Sequence, residues 1–151
     1  MIRKLVIVII TGLLLCFVTA CGEPADGNST DMEWNSKTGE VVNLAVLPKG
    51  VELVPFEKFK EGFAFVSNTN WEEPPATLEE VQKAFGTKGV YYKNSDVTED
   101  GNTYKTYAWF SDEDWLDSKV AVAVNFKVDK ETGKLTYYSY ASQGIVYTDV
   151  Q

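Results

Sequence analysis

The stretch Val120–Val128, VAVAVNFKV, decides the fold. Val120, Val122, Val124, Phe126 and Val128 alternate with Ala121, Ala123, Asn125 and Lys127. Successive side chains of a strand point to opposite faces, so this period of two predicts a strand with one buried and one solvated face. Downstream, Asp129-Lys130-Glu131-Thr132-Gly133 is rich in turn formers and predicts a hairpin into a second strand over Lys134–Ser142. Upstream, Val90–Asn94 and Thr103–Phe110 read as strands joined by a turn around Glu99-Asp100-Gly101-Asn102. Ser111–Asp117 (SDEDWLD) then reads as an acidic connection with room for one helical turn.

Helical signals precede these strands. In Thr77–Phe85 (TLEEVQKAF), Leu78, Val81 and Phe85 recur at the spacing of one helix face. Thr77 and Glu80 form a capping box, Glu79 and Glu80 suit the positive end of the helix dipole, and Gly86 ends the helix. Pro55 predicts the first position of a shorter helix that ends at Gly62, with Phe56 and Phe59 on one face. An apolar FAFV run and a loop, Asn68–Pro75, fill the interval between the two helices. Val41–Leu47 (VVNLAVL) reads as a first strand and is followed by a Pro48-Lys49-Gly50 turn and Val51–Val54. Helices followed by consecutive antiparallel strands predict an α+β fold, with two short helices packed on one face of an antiparallel meander.

The amino terminus carries a separate message. Arg3 and Lys4 precede an apolar run from Leu5 to Val18, and Val18-Thr19-Ala20 leads into Cys21. The 14-residue run is short of the roughly 20 residues a membrane-spanning helix needs. Its flanks fit a removable signal. Val18–Cys21 resembles the lipobox of bacterial lipoproteins, which implies cleavage before Cys21 and lipid on its sulfur. Residues 1–20 are then a signal peptide, 21–40 a lipidated cysteine and tether, and 41–151 a single α+β domain. Gly22–Glu40 is polar, with Gly, Pro, Asn, Ser and Thr throughout. As a flexible coil it spans roughly 25 Å. Trp34 is its one misfit, a residue suited to docking on the domain.

Composition excludes much chemistry. There is no histidine, and Cys16 and Cys21 are the only cysteines. With Cys16 removed and Cys21 acylated, no thiol nucleophile, disulfide or zinc site of the His/Cys type is expected. The formal net charge is −8, and loss of Arg3 and Lys4 with the signal makes it −10. Such a surface disfavours nucleic acid and gives no attraction to anionic lipid, so membrane attachment is expected through the lipid on Cys21 alone. No cofactor is expected.

Residues 57–145 carry a further resemblance. Glu57–Gly62, then Thr77–Val81 with Phe85-Gly86, resemble the opening of the single-repeat relatives of β-lactamase inhibitor protein, often found in lipoproteins of Gram-positive bacteria. Gly101–Trp109, Val122–Phe126, Gly133-Lys134-Leu135 and Ser142–Ile145 are similar to its strands. The SmpA/OmlA outer-membrane assembly lipoproteins share that general fold. The resemblance implies a β-lactamase-inhibitor-protein-like fold and binding rather than catalysis. Two features depart from it. Phe63–Ala76 separates the helices, and the chain has room for one repeat.

The candidate sites follow. Asp112, Glu113, Asp114 and Asp117 cluster oxygen ligands but lack the spacing of a calcium loop and read as a solvated acidic loop. Asp96, Thr98, Asp100 and Gly101 mimic the start of an EF-hand, but its twelfth position is Tyr107, which supplies no carboxylate. Nothing sets two acids at the separation glycoside hydrolysis requires, so no enzyme is expected. Trp71, Tyr107, Trp109, Tyr138 and Tyr140 form the candidate binding set. Tyr107 shares a strand face with Trp109, as Tyr138 does with Tyr140, and a solvated aromatic face suits a protein interface. The alternative is that one pair faces the helices as core.

The expected role is therefore a lipid-anchored protein on the outer face of the bacterial membrane that binds or scaffolds a protein through its sheet. An envelope assembly factor and a small-ligand or peptide binder are the alternatives. Cys21→Ala is expected to abolish incorporation of labelled palmitate; label retained in the variant would refute acylation at this residue.

Overall fold

The computed structural model describes residues 33–34, 42–69 and 73–150. Val120 lies within β7 (Ser118–Val128), the centre of an open, mixed sheet of about six strands. On one side β7 pairs antiparallel with β6 (Asn102–Trp115), and on the other with β8 (Leu135–Gln143). Three short strands share the far side of β6: β3 (Leu53–Val54), β4 (Val90–Tyr91) and β5 (Val97–Glu99). Of these β4 and β5 run antiparallel to β6 and β3 runs parallel. A separate two-residue ladder joins β1 (Glu33–Trp34) to β2 (Val42–Asn43). A short paired strand thus stands inside the segment expected to be tether throughout. The remainder of residues 21–40 lies outside the described residues, as does the signal.

The expected helix Thr77–Phe85 is α2 (Leu78–Phe85). The Thr77 amide donates to Glu80 Oε2 at 2.7 Å, and Glu80 N donates to Thr77 Oγ1 at 3.3 Å. The amide bond, with the Thr77 hydroxyl donating to the same Oε2 at 3.0 Å, holds the Glu80 carboxyl below its ordinary range. The cap therefore stabilises fully above the ordinary carboxylate range and weakens as the pH falls through it. Gly86 takes φ +78 and closes the helix, as expected.

The helix expected to stop at Gly62 instead runs from Phe56 to Thr69 as α1. Phe59, Phe63 and Val66 continue one buried face past the glycine. Gly62 serves close approach rather than termination. A Cβ there would lie 2.5 Å from the Phe85 ring of α2. Glycine costs a helix about 1 kcal/mol relative to alanine, which the packing of α1 on α2 offsets.

Both helices cover one face of the sheet, as expected. There Val120, Val122, Val124 and Phe126 pack with Phe59, Phe63, Val66, Val81, Phe85 and Trp109. The other face of β7, expected to be solvated, is buried from Ala121 to Asn125, and only Lys127 is exposed on it. Ala121 and Ala123 are buried with Ala108 and Phe110 beneath Val42 and Leu44, with Val51 and Leu53 alongside. The small alanine side chains leave room for Val42 and Leu44 to lie directly on the sheet. Gln143 fixes that layer. Its buried Nε2 donates to Leu44 O at 3.3 Å, Ser118 Oγ at 3.0 Å and Lys119 O at 2.9 Å.

The acidic stretch also differs from expectation. Ser111–Trp115 continues β6, with a register shift between Phe110 and Asp114, and only Leu116 and Asp117 make the turn into β7. Two contacts hold it extended. Lys119 Nζ bonds Asp112 O at 2.9 Å and Asp114 Oδ1 at 2.6 Å, and Trp115 packs against the helix-side core. The strand expected over Val90–Asn94 ends at Tyr91, and a 3₁₀ turn follows at Lys93–Ser95.

Gly62→Ala is expected to lower unfolding free energy in urea by about 1–3 kcal/mol through overpacking against Phe85. A more stable variant, as helix propensity alone would give, would contradict this packing.

Candidate interaction surface

Of the five aromatic residues expected to form a binding patch, Trp109 is core. It is 1% exposed, stacks on Phe85 with ring centroids 4.8 Å apart, and donates from Nε1 to Thr87 O at 3.1 Å. Tyr107 shares its face, as expected, but is half-buried between the stacked ring of Tyr91 and the edge of Phe126. Burial, with Asp96 and Glu79 nearby, pushes its phenol up. Tyr140 is half-buried on the same side, edge-on to Phe63 at 5.7 Å, and its phenol is raised chiefly by burial. The helices cover this face because Val122, Val124 and Phe126 on β7 already commit it to the core.

Tyr138 does not share a face with Tyr140. Asn125 pairs with Ser139 and Phe126 with Tyr137, so Tyr138 is an extra residue in β8, a β-bulge. The bulge breaks the alternation. Tyr137 and Tyr140 turn towards the helices, whereas Tyr138 lies against Tyr104, 4.7 Å away, on the opposite side. Tyr138 stays 57% exposed. Trp71 and Cys21 lie outside the described residues.

The acidic candidates do not assemble into a metal centre. Asp114 is ion-paired with Lys119, and Asp96 accepts from Tyr91 Oη at 2.5 Å. Among the described residues no three His, Cys, Asp or Glu groups come together to hold a metal ion. An open groove of about 520 Å³ runs between Asn43, Val46 and Pro48 on one side and Tyr91–Ser95 on the other. Beyond it Val46, Leu47 and Leu116 are exposed at the end of the sheet, Leu116 at a φ of +52°.

The most distinctive surface is an edge that no single residue signals. The β6 side of the sheet is closed by β3, β4 and β5, none longer than three residues. Short pieces of this kind protect an edge from further pairing. The opposite edge is β8, a nine-residue strand bulged at Tyr138, LTYYSYASQ. Its beginning is covered, since Thr77 bridges Thr136 and Tyr137 N donates to Ala76 O at 2.7 Å. Among the described residues, no strand pairs the outer side of Tyr138–Gln143. Charged residues make up 24% of the chain, yet β8 has none, nor a proline or glycine. Among the described residues, the bulge at Tyr138 is thus the guard this stretch carries against strand addition. The sequence signal for this edge is the uncharged run between Lys134 and Asp149.

No protein-family model, curated protein sequence or solved structure matches the chain, so its chemistry rests on these residues alone.

Replacing Trp109 by Ala is expected to cost about 3–5 kcal/mol, as for other large buried aromatics. Tyr138→Ala should stay within about 1 kcal/mol. Equal losses in the two variants, read from urea midpoints, would refute this division into core and surface.

Proposed function

We propose that the chain is a lipid-anchored domain on the outer face of the bacterial membrane and that it binds protein by strand addition at β8. The uncharged outer edge of Tyr138–Gln143, unpaired among the described residues, carries this reading. In strand addition, backbone hydrogen bonds supply affinity and the side chains of alternate residues supply selectivity. Tyr138 is the exposed aromatic side chain of this strand, with its ring turned across β7 towards Tyr104.

The other features support binding over catalysis. The chain has no histidine, and its two cysteines are spent on the signal and the lipid under this reading. The helix–helix–strand order is compatible with the resemblance to single-repeat relatives of β-lactamase inhibitor protein, which also implies binding. Lipid on Cys21 supplies location, the following residues supply reach, and the sheet edge supplies the contact.

Photo-crosslinking in cells tests the reading, with a light-activated residue replacing Tyr138 in the full chain. Thr98, exposed on β5 at the guarded edge, is the control position. A discrete protein adduct from position 138 and none from position 98 is the expected result. No adduct at 138, or equal adducts at both, would overturn it.

A further inference from the structure

We infer that the tip of the β6–β7 hairpin, Leu116 with the adjoining Val46 and Leu47, is a second contact surface, and that it fits a protein whose apolar pocket is flanked by lysine or arginine. The tip stands beyond the Gln143 end of β8 and is independent of strand addition there.

Leu116 carries the inference. Trp115 pairs with Ser118, so Leu116 and Asp117 form a two-residue turn, and Leu116 takes a φ of +52°. A left-handed backbone crowds the Cβ of an L-residue against the following carbonyl, and glycine, asparagine or aspartate ordinarily takes such positions. The other described residues keep to that rule. Their positive φ values fall on six glycines and Asp100, and the preceding hairpin turns through Asp100 and Gly101. Leucine breaks the rule without gaining burial, since Leu116 is 68% exposed. It thus costs the free domain backbone strain and apolar exposure together. A residue that opposes the local rules of its own fold and returns no packing points to a role outside the fold.

The neighbourhood adds apolar area on a rigid base. Leu47 lines one open groove with Leu116, and Val46 beside it is also exposed. Ser118 Oγ donates to Ala45 O at 3.0 Å and joins this loop to the hairpin. Lys119 Nζ ties Asp112 O and Asp114 Oδ1 across the hairpin. Trp115 closes on Gly144, where a Cβ would lie 2.5 Å from its ring. A surface held in one conformation before contact loses little entropy on entering a pocket of matching shape. A bilayer has no fixed shape to match, so a strained, fixed turn gives a membrane contact no advantage.

Charge names the partner's chemistry. Nearest the tip stand Asp112, Glu113, Asp114 and Asp117, against Lys119. Lys49 and Glu52 follow on the adjoining loop, and Lys93 lies across the groove on the far side of Val46. Lys119 is engaged by Asp114, and among the described residues no cation pairs with Glu113 or Asp117, both exposed. Uncompensated carboxylates thus edge the apolar tip. They repel anionic lipid and suit a pocket with a basic rim.

The test is photo-crosslinking in cells with the full chain, a light-activated residue replacing Leu47, followed by sequencing of the joined peptides. The expected product is a protein adduct attached within an apolar site that lysine or arginine flanks. Leu116→Gly, which relieves the left-handed leucine, should cut that adduct about tenfold while the urea midpoint stays equal or rises. The double variant Glu113→Gln, Asp117→Asn should lower the adduct severalfold at the same midpoint. A lower midpoint in Leu116→Gly would show that the leucine serves the fold and would overturn the inference. So would an adduct to phospholipid, a protein adduct on a polar or acidic surface, an adduct indifferent to both variants, or no adduct at position 47.

Discussion

The structure depends on the burial of β7 on both faces. Val120, Val122, Val124 and Phe126 face the helices, and Ala121 and Ala123 face the layer that Val42 and Leu44 anchor. Large side chains on one face and small ones on the other give these layers different depths. Helices stand off the valines on their own bulky residues, whereas an extended segment lies close on the alanines. Gln143 joins this central strand to the second layer by donating to Leu44 O, Ser118 Oγ and Lys119 O. The amide nitrogen is satisfied by these acceptors, whereas the buried Oε1 has no hydrogen-bond partner among the described residues.

From this central strand the two edges diverge in character. On the β6 side, three short strands close the sheet piece by piece. Beyond β8 the chain instead turns at Gly144, buries Ile145 in the helix-side core and ends in a 3₁₀ turn, Tyr147–Val150, packed on α1. Among the described residues, the last strand is thus left open along Tyr138–Gln143. An open edge is a hazard for a freely diffusing protein, because any exposed strand can pair with it. Anchored by lipid under the proposed reading, the domain meets fewer accidental partners, and the same edge becomes a means of assembly.

Some of this was legible in the sequence. The capped helix at Thr77–Gly86 and the period-two strand at Val120–Val128 follow local rules, and both stand in the structure. What was not legible depends on tertiary contacts. Gly62 reads as a stop, but its absent side chain makes room for Phe85. Alanine is ambiguous between buried and exposed, so the second covered face of β7 left no clear mark. Four acids in Ser111–Asp117 conceal a strand that Lys119 and Trp115 hold extended. At the candidate surface, the pairing of Tyr138 with Tyr140 fails for one reason. A bulge inserts one residue into β8, and no period-two count anticipates it. The aromatic side chains mark this strand in the sequence, but among the described residues it is its backbone edge that is left unpaired.

Amide hydrogen exchange along β8 tests the central claim most directly, comparing the chain in its native membrane with the same chain dispersed singly in detergent. The account predicts that amides of residues 138–143 pointing away from β7 exchange rapidly in the dispersed chain and become protected in the membrane, while β7 itself stays protected in both. Equal exchange of those outward amides in the two states would contradict it.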